Sequence, residues 1–348
     1  MKTVPPALAS LIAMLLLASA APTAFAGDRV GTATLDLENR ATGRRITTEL
    51  WFKAADDART EWFSPRAPLR PIPIARNADP QRWLRKQPLV IISHGNWGTR
   101  FSQGWLALEL VKSGYVVLST SHPGTAGDDQ DVSGRYRLWD RSRDVSFALD
   151  EVLSNPKWAA LVDEARIGFV GHSFGGWTGV SLAGGRYDPG QQRTFCEKSL
   201  KKDLYCDATL KDDIAGLVAK DAAGTFRDPR IKAFYIMASG PGQGFAAESL
   251  KSISVPFMVD TAEHDEVLEP QANSTAVARQ IPGAREVIRP VGHFAYVPEC
   301  RWLIGPVLSR LAGFPICDDP QGINRARVHD EVARDVVAFF NENLARTE

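Results

Sequence analysis

The stretch Ile167-Gly168-Phe169-Val170-Gly171-His172-Ser173-Phe174-Gly175-Gly176 decides the fold of this 348-residue chain. Ile167 to Val170 is an apolar run of the kind buried in a sheet, and Gly175-Gly176-Trp177 opens a helix-like stretch. Between them stands G-x-S-x-G, spelled Gly171-His172-Ser173-Phe174-Gly175. A strand that turns this sharply into a helix leaves no room for side chains at the crossing, which is why glycines flank the turn. The same turn holds the serine on strained backbone with its Oγ raised above the sheet. The five-residue pattern alone is common; a strand before it and a helix after it make it a nucleophile elbow.

Upstream, Pro88-Leu89-Val90-Ile91-Ile92-Ser93 is a continuous apolar run ending at His94-Gly95-Asn96-Trp97-Gly98. Runs buried on both faces belong to parallel sheets covered by helices on either side. Leu106, Leu110 and Val111 space residues 103–112 as a helix, and Tyr115-Val116-Val117-Leu118-Ser119 is the next strand. Val145, Ala148, Leu149 and Val152 predict a helix over 140–153, ended by Asn155-Pro156 just before the elbow strand. Residues 231–237, 255–259 and 286–288 read as later strands, and Val328, Val332, Val336 and Phe339 or Phe340 mark an amphipathic closing helix. Strand alternating with helix over short connections predicts one doubly wound, mostly parallel α/β sheet. Nearer the N-terminus, 30–37 and 45–52 predict a β-hairpin, and the proline-rich 64–80 a surface loop. Residues 184–228 interrupt the alternation and read either as a candidate cap inserted above the sheet or as an ordinary surface excursion.

Residues 1–26 read as a secretory leader: Lys2, an apolar stretch over 8–21, and Ala24-Phe25-Ala26 as the cleavage site. The apolar part is short and preceded by Pro5-Pro6, so no stable membrane anchor is expected. The protein is expected to be secreted or periplasmic, where Cys196, Cys206, Cys300 and Cys317 can pair as disulfides. Three pairings are open; proximity in sequence favours Cys196–Cys206 and Cys300–Cys317, each contributing ~3 kcal/mol by chain entropy. The spacings lack CxxC pairs, which argues against zinc. Basic and acidic residues balance at 41 each with no basic run, so no nucleic-acid partner is expected.

A serine hydroxyl needs a base within hydrogen-bond reach and an acid to orient that base. In elbow-bearing sheets these follow in the order serine, acid, histidine at carboxyl ends of strands. Of six histidines, His94, His122 and His172 come too early, His264 lies in the acid-bearing loop, and His329 falls in the closing helix. His293, in Pro290-Val291-Gly292-His293-Phe294 after the last strand, is the expected base. Asp260, Glu263, Asp265 and Glu266 all qualify as the acid by type, and Asp265, out in its loop, is favoured. The developing oxyanion needs backbone donors, assigned to the N–H groups of Phe174 and Asn96.

Over nearly all of its mature length the chain resembles the α/β-hydrolase superfamily. More narrowly, it is similar to the secreted bacterial group called predicted dienelactone hydrolases, themselves similar to platelet-activating-factor acetylhydrolases. The residues that carry this are Ser93-His94-Gly95, Ser121-His122-Pro123-Gly124, the elbow, Asp228-Pro229-Arg230-Ile231-Lys232-Ala233, Gly292-His293-Phe294 and the tail at Ile316-Cys317. The resemblance implies Ser173, Asp265 and His293 as a triad, Asn96 and Phe174 as oxyanion donors, and no cofactor. True dienelactone hydrolases use a cysteine nucleophile where this chain has Ser173, so the group's name does not predict the substrate. The expectation is a serine hydrolase of small or lipid-like carboxylic esters, short acyl chains fitting best. A lactonase, polyester hydrolase or peptidase on the same fold is the alternative, as is a non-catalytic binding module.

Overall fold

The computed structural model describes residues 29–82, 85–131, 133–198, 206, 224–301 and 305–346. The expected leader and residues 210–219 of the expected cap lie outside them. The central strands are β5 (Gln87–Ser93), β6 (Val116–Thr120), β9 (Val162–His172), β10 (Ile231–Met237), β11 (Phe257–Ala262) and β12 (Arg285–Arg289). They run parallel in the order β12-β11-β10-β9-β5-β6. Leu89 to Ser93 and Ile167 to His172 are buried at every position, as strands covered on both faces must be.

The hairpin β1 (Val30–Asn39) and β2 (Arg44–Lys53) extends the sheet through an antiparallel pairing of β2 with β6. The stretch expected to be a loop over 64–80 is corrected: β4 (Ile72–Arg76) lies parallel to β1, and β3 (Glu61–Phe63) pairs outside it. Pro73 hid this strand from a reading by composition. It is tolerated because the pairing with β1 runs through Ala75 and Arg76, beyond the residue that lacks an N–H. A separate small ribbon joins β7 (Thr125–Ala126) to β8 (Asp129–Gln130).

Two cores sandwich the sheet. One packs Val145, Ala148, Leu149 and Val152 of the helix Trp139–Ser154, with Trp177 and Val180 of the elbow helix Phe174–Ala183, against Leu89, Ile91, Phe169 and Phe234. The other packs Leu106 and Leu110 of the helix Gly104–Lys112, with Val332, Val336 and Phe340 of the closing helix Arg325–Asn343, against Val90, Ile92, Val170 and Tyr235. Alternate residues of each strand feed opposite cores, the arithmetic of a two-residue period. The carboxyl ends of β5, β9, β11 and β12 therefore meet at one edge, where loops are free to carry chemistry.

Candidate active site

Ser173 sits between β9 and the elbow helix at φ 56° and ψ −118°, in the left-handed region that a β-carbon makes costly by ~1–3 kcal/mol. Its N–H donates to Met237 O at 3.0 Å, which ties the turn to β10. A β-carbon on Gly171 would come 2.1 Å from Gly175 O, and one on Gly175 would come 1.9 Å from Ser93 O. Only glycine fits at those crossings, and their closeness holds the serine against the end of β5.

His293 opens a short 3-10 turn, His293–Tyr296, after β12. Its Nε2 is 3.0 Å from Ser173 Oγ and its Nδ1 is 2.7 Å from Asp265 Oδ2. Ser173, His293 and Asp265, dispersed over 120 residues of chain, are thus joined in one line of hydrogen bonds. Burial would lower the pKa of His293, but the charge and hydrogen bond of Asp265, with the charge of Glu266, outweigh it and raise the pKa above its ordinary value. The other oxygen of Asp265 accepts N–H bonds from Val267 at 2.8 Å and Leu268 at 2.7 Å, so the carboxylate cannot rotate freely.

The four candidate acids separate completely. Asp260 is fully buried within β11, where it accepts from the hydroxyls of Tyr235 (2.9 Å) and Tyr296 (2.7 Å) and pairs with Arg289 Nε (2.9 Å). Glu263 is exposed. Glu266 accepts the backbone N–H of His293 at 2.9 Å, so it holds the ring's backbone rather than the ring. The histidine turn is pinned elsewhere too: Trp105 Nε1 donates to Tyr296 O at 3.2 Å, and His329 Nε2 lies 3.1 Å from Val297 O.

His172, inside the elbow, lies 3.1 Å from His293 O through its Nε2, and its ring, tilted by 47°, has its centroid 4.9 Å from that of His293. Burial, and then the neighbouring His293, push its pKa well below the ordinary value. The loop after β5 abuts the elbow: a β-carbon on Gly95 would lie 3.0 Å from Ser173 Cβ. That brings Asn96, half-buried, to the same corner as Phe174, the first residue of the elbow helix.

Beneath this corner lies a buried polar network that spacing alone did not reveal. Ser93 Oγ is 2.9 Å from His122 Nε2, and His122 Nδ1 is 3.1 Å from Asp144 Oδ2. Arg44 grips Asp144 with two bonds of 2.8 Å. Ser93 and His122 are fully buried, so this second Ser-His-Asp arrangement meets no solvent and braces the site from behind. Arg141 completes the network. A signal for it existed: Arg141 stands on the same helical stripe as Val145, Ala148 and Val152, a charged residue in an apolar row.

The disulfides are Cys196–Cys206 and Cys300–Cys317, the pairing that proximity favoured. Of the expected cap, the helix Pro189–Lys198 is described; Gln191 Nε2 ties it to Gln243 O and Phe245 O. Among the described residues no cluster of acidic, histidine or cysteine side chains could hold a metal ion, and no helix is long and apolar enough to cross a membrane.

Among solved structures, a ferulic acid esterase from Streptomyces cinnamoneus superposes with a TM-score of 0.56 at 19% identity, covering 94% of this chain and 96% of that one. The chain has the α/β-hydrolase fold. A dienelactone hydrolase from Anabaena variabilis aligns with a TM-score of 0.48 at 13% identity, over 89% of this chain and 98% of that one. In sequence, Cutinase 2 of Thermobifida cellulosilytica is 33% identical over 101 residues, 28% of this chain and 35% of that protein. Cutinase cut1 of Thermobifida fusca is likewise 33% identical over 101 residues, 29% of its length. The chain thus spans about a third of the length of the curated relatives it matches. No family model matches it.

Proposed function

We propose that the chain is a secreted serine hydrolase of carboxylic esters, with Ser173 as nucleophile, His293 as base and Asp265 as the orienting acid. The observation that carries this reading is the relay itself: 3.0 Å from Ser173 Oγ to His293 Nε2, and 2.7 Å from Nδ1 to Asp265. With Nδ1–H donated to Asp265, Nε2 is left as an acceptor for the serine proton. Oγ attacks the ester carbonyl as His293 takes that proton, and the Phe174 and Asn96 N–H groups receive the oxyanion. The imidazolium then protonates the departing alcohol. In the second half, His293 takes a proton from the water that attacks the acyl carbon and gives it to Ser173 Oγ as the ester bond to the enzyme breaks, freeing the acid and the serine.

Secretion is supported by the leader-like 1–26 and by two disulfides, which persist in oxidising compartments. Short-chain acyl esters are the first substrate class. A polymeric ester is the second, favoured by the 33% identity to proteins named as cutinases.

The test is hydrolysis of p-nitrophenyl esters of increasing chain length by the wild type and Ser173→Ala, beside fluorophosphonate labelling. The substitution is expected to lower kcat by roughly 10⁴–10⁶ and to abolish the label. Full activity in Ser173→Ala would sink the nucleophile assignment, and an inert, unlabelled wild type would favour a binding module. Release of acids from a polyester film ahead of short esters would favour the second substrate class.

A further inference from the structure

Arg141 is fully enclosed, one of the largest wholly buried side chains in the protein, yet it takes no part in the relay. Its Nε donates to Thr178 Oγ1 at 3.2 Å and its Nη1 to Thr125 Oγ1 at 2.5 Å. Its Nη2 donates to Ser93 Oγ at 3.3 Å and to the carbonyl of His94. All four acceptors are neutral oxygens, so the guanidinium is spread over backbone and hydroxyls instead of being matched to one carboxylate. Burying a cation is costly, and here the cost is offset by these four bonds and by the charge of Asp144, whose own oxygens are bonded to Arg44 and His122.

What those four bonds hold is informative. His94 O belongs to the peptide leading into Gly95 and Asn96, the segment that lies against Ser173. Thr178 passes the contact on, donating from its Oγ1 to Phe174 O at 2.9 Å, in the first turn of the elbow helix. Thr125 closes the loop from the far side, since its carbonyl accepts the Trp97 N–H at 3.0 Å. His122 adds a bond from its N–H to His94 Nε2 at 3.1 Å.

We infer that Arg141 is a positioning residue that clamps together the two backbone segments, 94–97 and the start of the elbow helix, from which the oxyanion is stabilised. This rests on the reading of Ser173 as nucleophile. A planar fork suits the task because it reaches both segments at once, which a lysine ammonium cannot. Burial depresses the guanidinium pKa to about 9, which leaves it cationic at neutral pH. Its charge therefore also favours the negative oxygen that develops on the other side of the His94–Gly95 peptide. Since that charge exists only in the transition state, the clamp acts on kcat rather than on substrate binding.

The test uses the full chain with Arg141→Lys, Thr178→Val and Thr178→Ser, with Ser173→Ala as control. Steady-state kcat and KM on p-nitrophenyl acetate are measured beside the affinity for a trifluoromethyl ketone, which forms an oxyanion on Ser173. Arg141→Lys is expected to lower kcat ~10–100-fold, less than outright loss of an oxyanion donor, with KM within about twofold. Ketone affinity should fall by the same factor. Thr178→Val should show the same pattern at ~3–10-fold, and Thr178→Ser should restore it. Unchanged kcat in the folded variants, or a loss in kcat without a matching loss in ketone affinity, overturns the clamp. If Arg141→Lys does not fold, the Thr178 pair decides by the same criteria. Loss of activity in Ser173→Ala beside an unaltered Arg141→Lys would remove the clamp alone; activity in Ser173→Ala would remove the nucleophile and the clamp with it.

Discussion

Replacing Asp265 by asparagine should silence the proposed hydrolysis through a tautomer, without unfolding the protein. The Oδ1 position accepts N–H bonds from Val267 (2.8 Å) and Leu268 (2.7 Å), a place only an oxygen can occupy. In Asp265→Asn the amide oxygen must therefore stay there, and its NH₂ must turn toward His293 Nδ1, now occupied by an oxygen at 2.7 Å. An NH₂ group in that place makes Nδ1 an acceptor, so the ring proton moves to Nε2, which can no longer take the Ser173 proton. A wrong tautomer in such a relay costs about 10⁴ in kcat, or ~5.5 kcal/mol of barrier. The two loop bonds survive, so the thermal midpoint should shift little. The assay is kcat on a short p-nitrophenyl ester between pH 6 and 9, with thermal unfolding beside it. In the wild type the acidic limb should lie above the ordinary histidine value, because the base must be neutral and Asp265 raises its pKa. A loss below tenfold in a folded Asp265→Asn would refute the argument.

Two further predictions concern buried charge. His94, His122 and His172 are pushed well below the ordinary pKa, foremost by burial, and His329 down to about 3. Below pH ~6.5 the unfolded chain binds protons that these native histidines refuse, so stability is lost as pH falls. The slope is ~1.4 kcal/mol per pH unit for each histidine; His293, with its raised pKa, adds none below 6.5. Urea midpoints from pH 6.5 to 5 check this, with a flat profile as the refuting result and a shallower slope expected in His329→Gln. Arg289→Met should cost ~3–5 kcal/mol by leaving the Asp260 carboxylate buried beside two tyrosine hydroxyls alone. A denaturant midpoint equivalent to less than ~1 kcal/mol of loss would show that Asp260 is neutral in the native state.

Much of the fold was legible because its signals are local. The apolar runs 88–93 and 167–170 become β5 and β9, and the stripe on 325–344 becomes the closing helix, since burial follows the period of each element. The proline-rich 64–80 was misread because composition records a proline, whereas the sheet asks only which N–H groups the neighbouring strand uses.

At the site the division is sharper. Ser173 could be named from ten residues, because an elbow is a steric object: Gly171 and Gly175 are required by contacts within the turn and with the adjoining β5. Strand order singles out His293 as the candidate base. Asp260, Asp265 and Glu266 share one chemistry and lie within seven positions, so sequence could rank them but not separate them. Tertiary structure separates them by reach, giving Asp260 to two tyrosines and an arginine, Glu266 to a backbone N–H, and Asp265 to the imidazole. Arg141 lies further still from a local reading, since a guanidinium's partners on 93–94, 125 and 178 meet only once the sheet has closed. Local sterics could thus be read residue by residue, but hydrogen bonds between distant segments exist only in the folded chain.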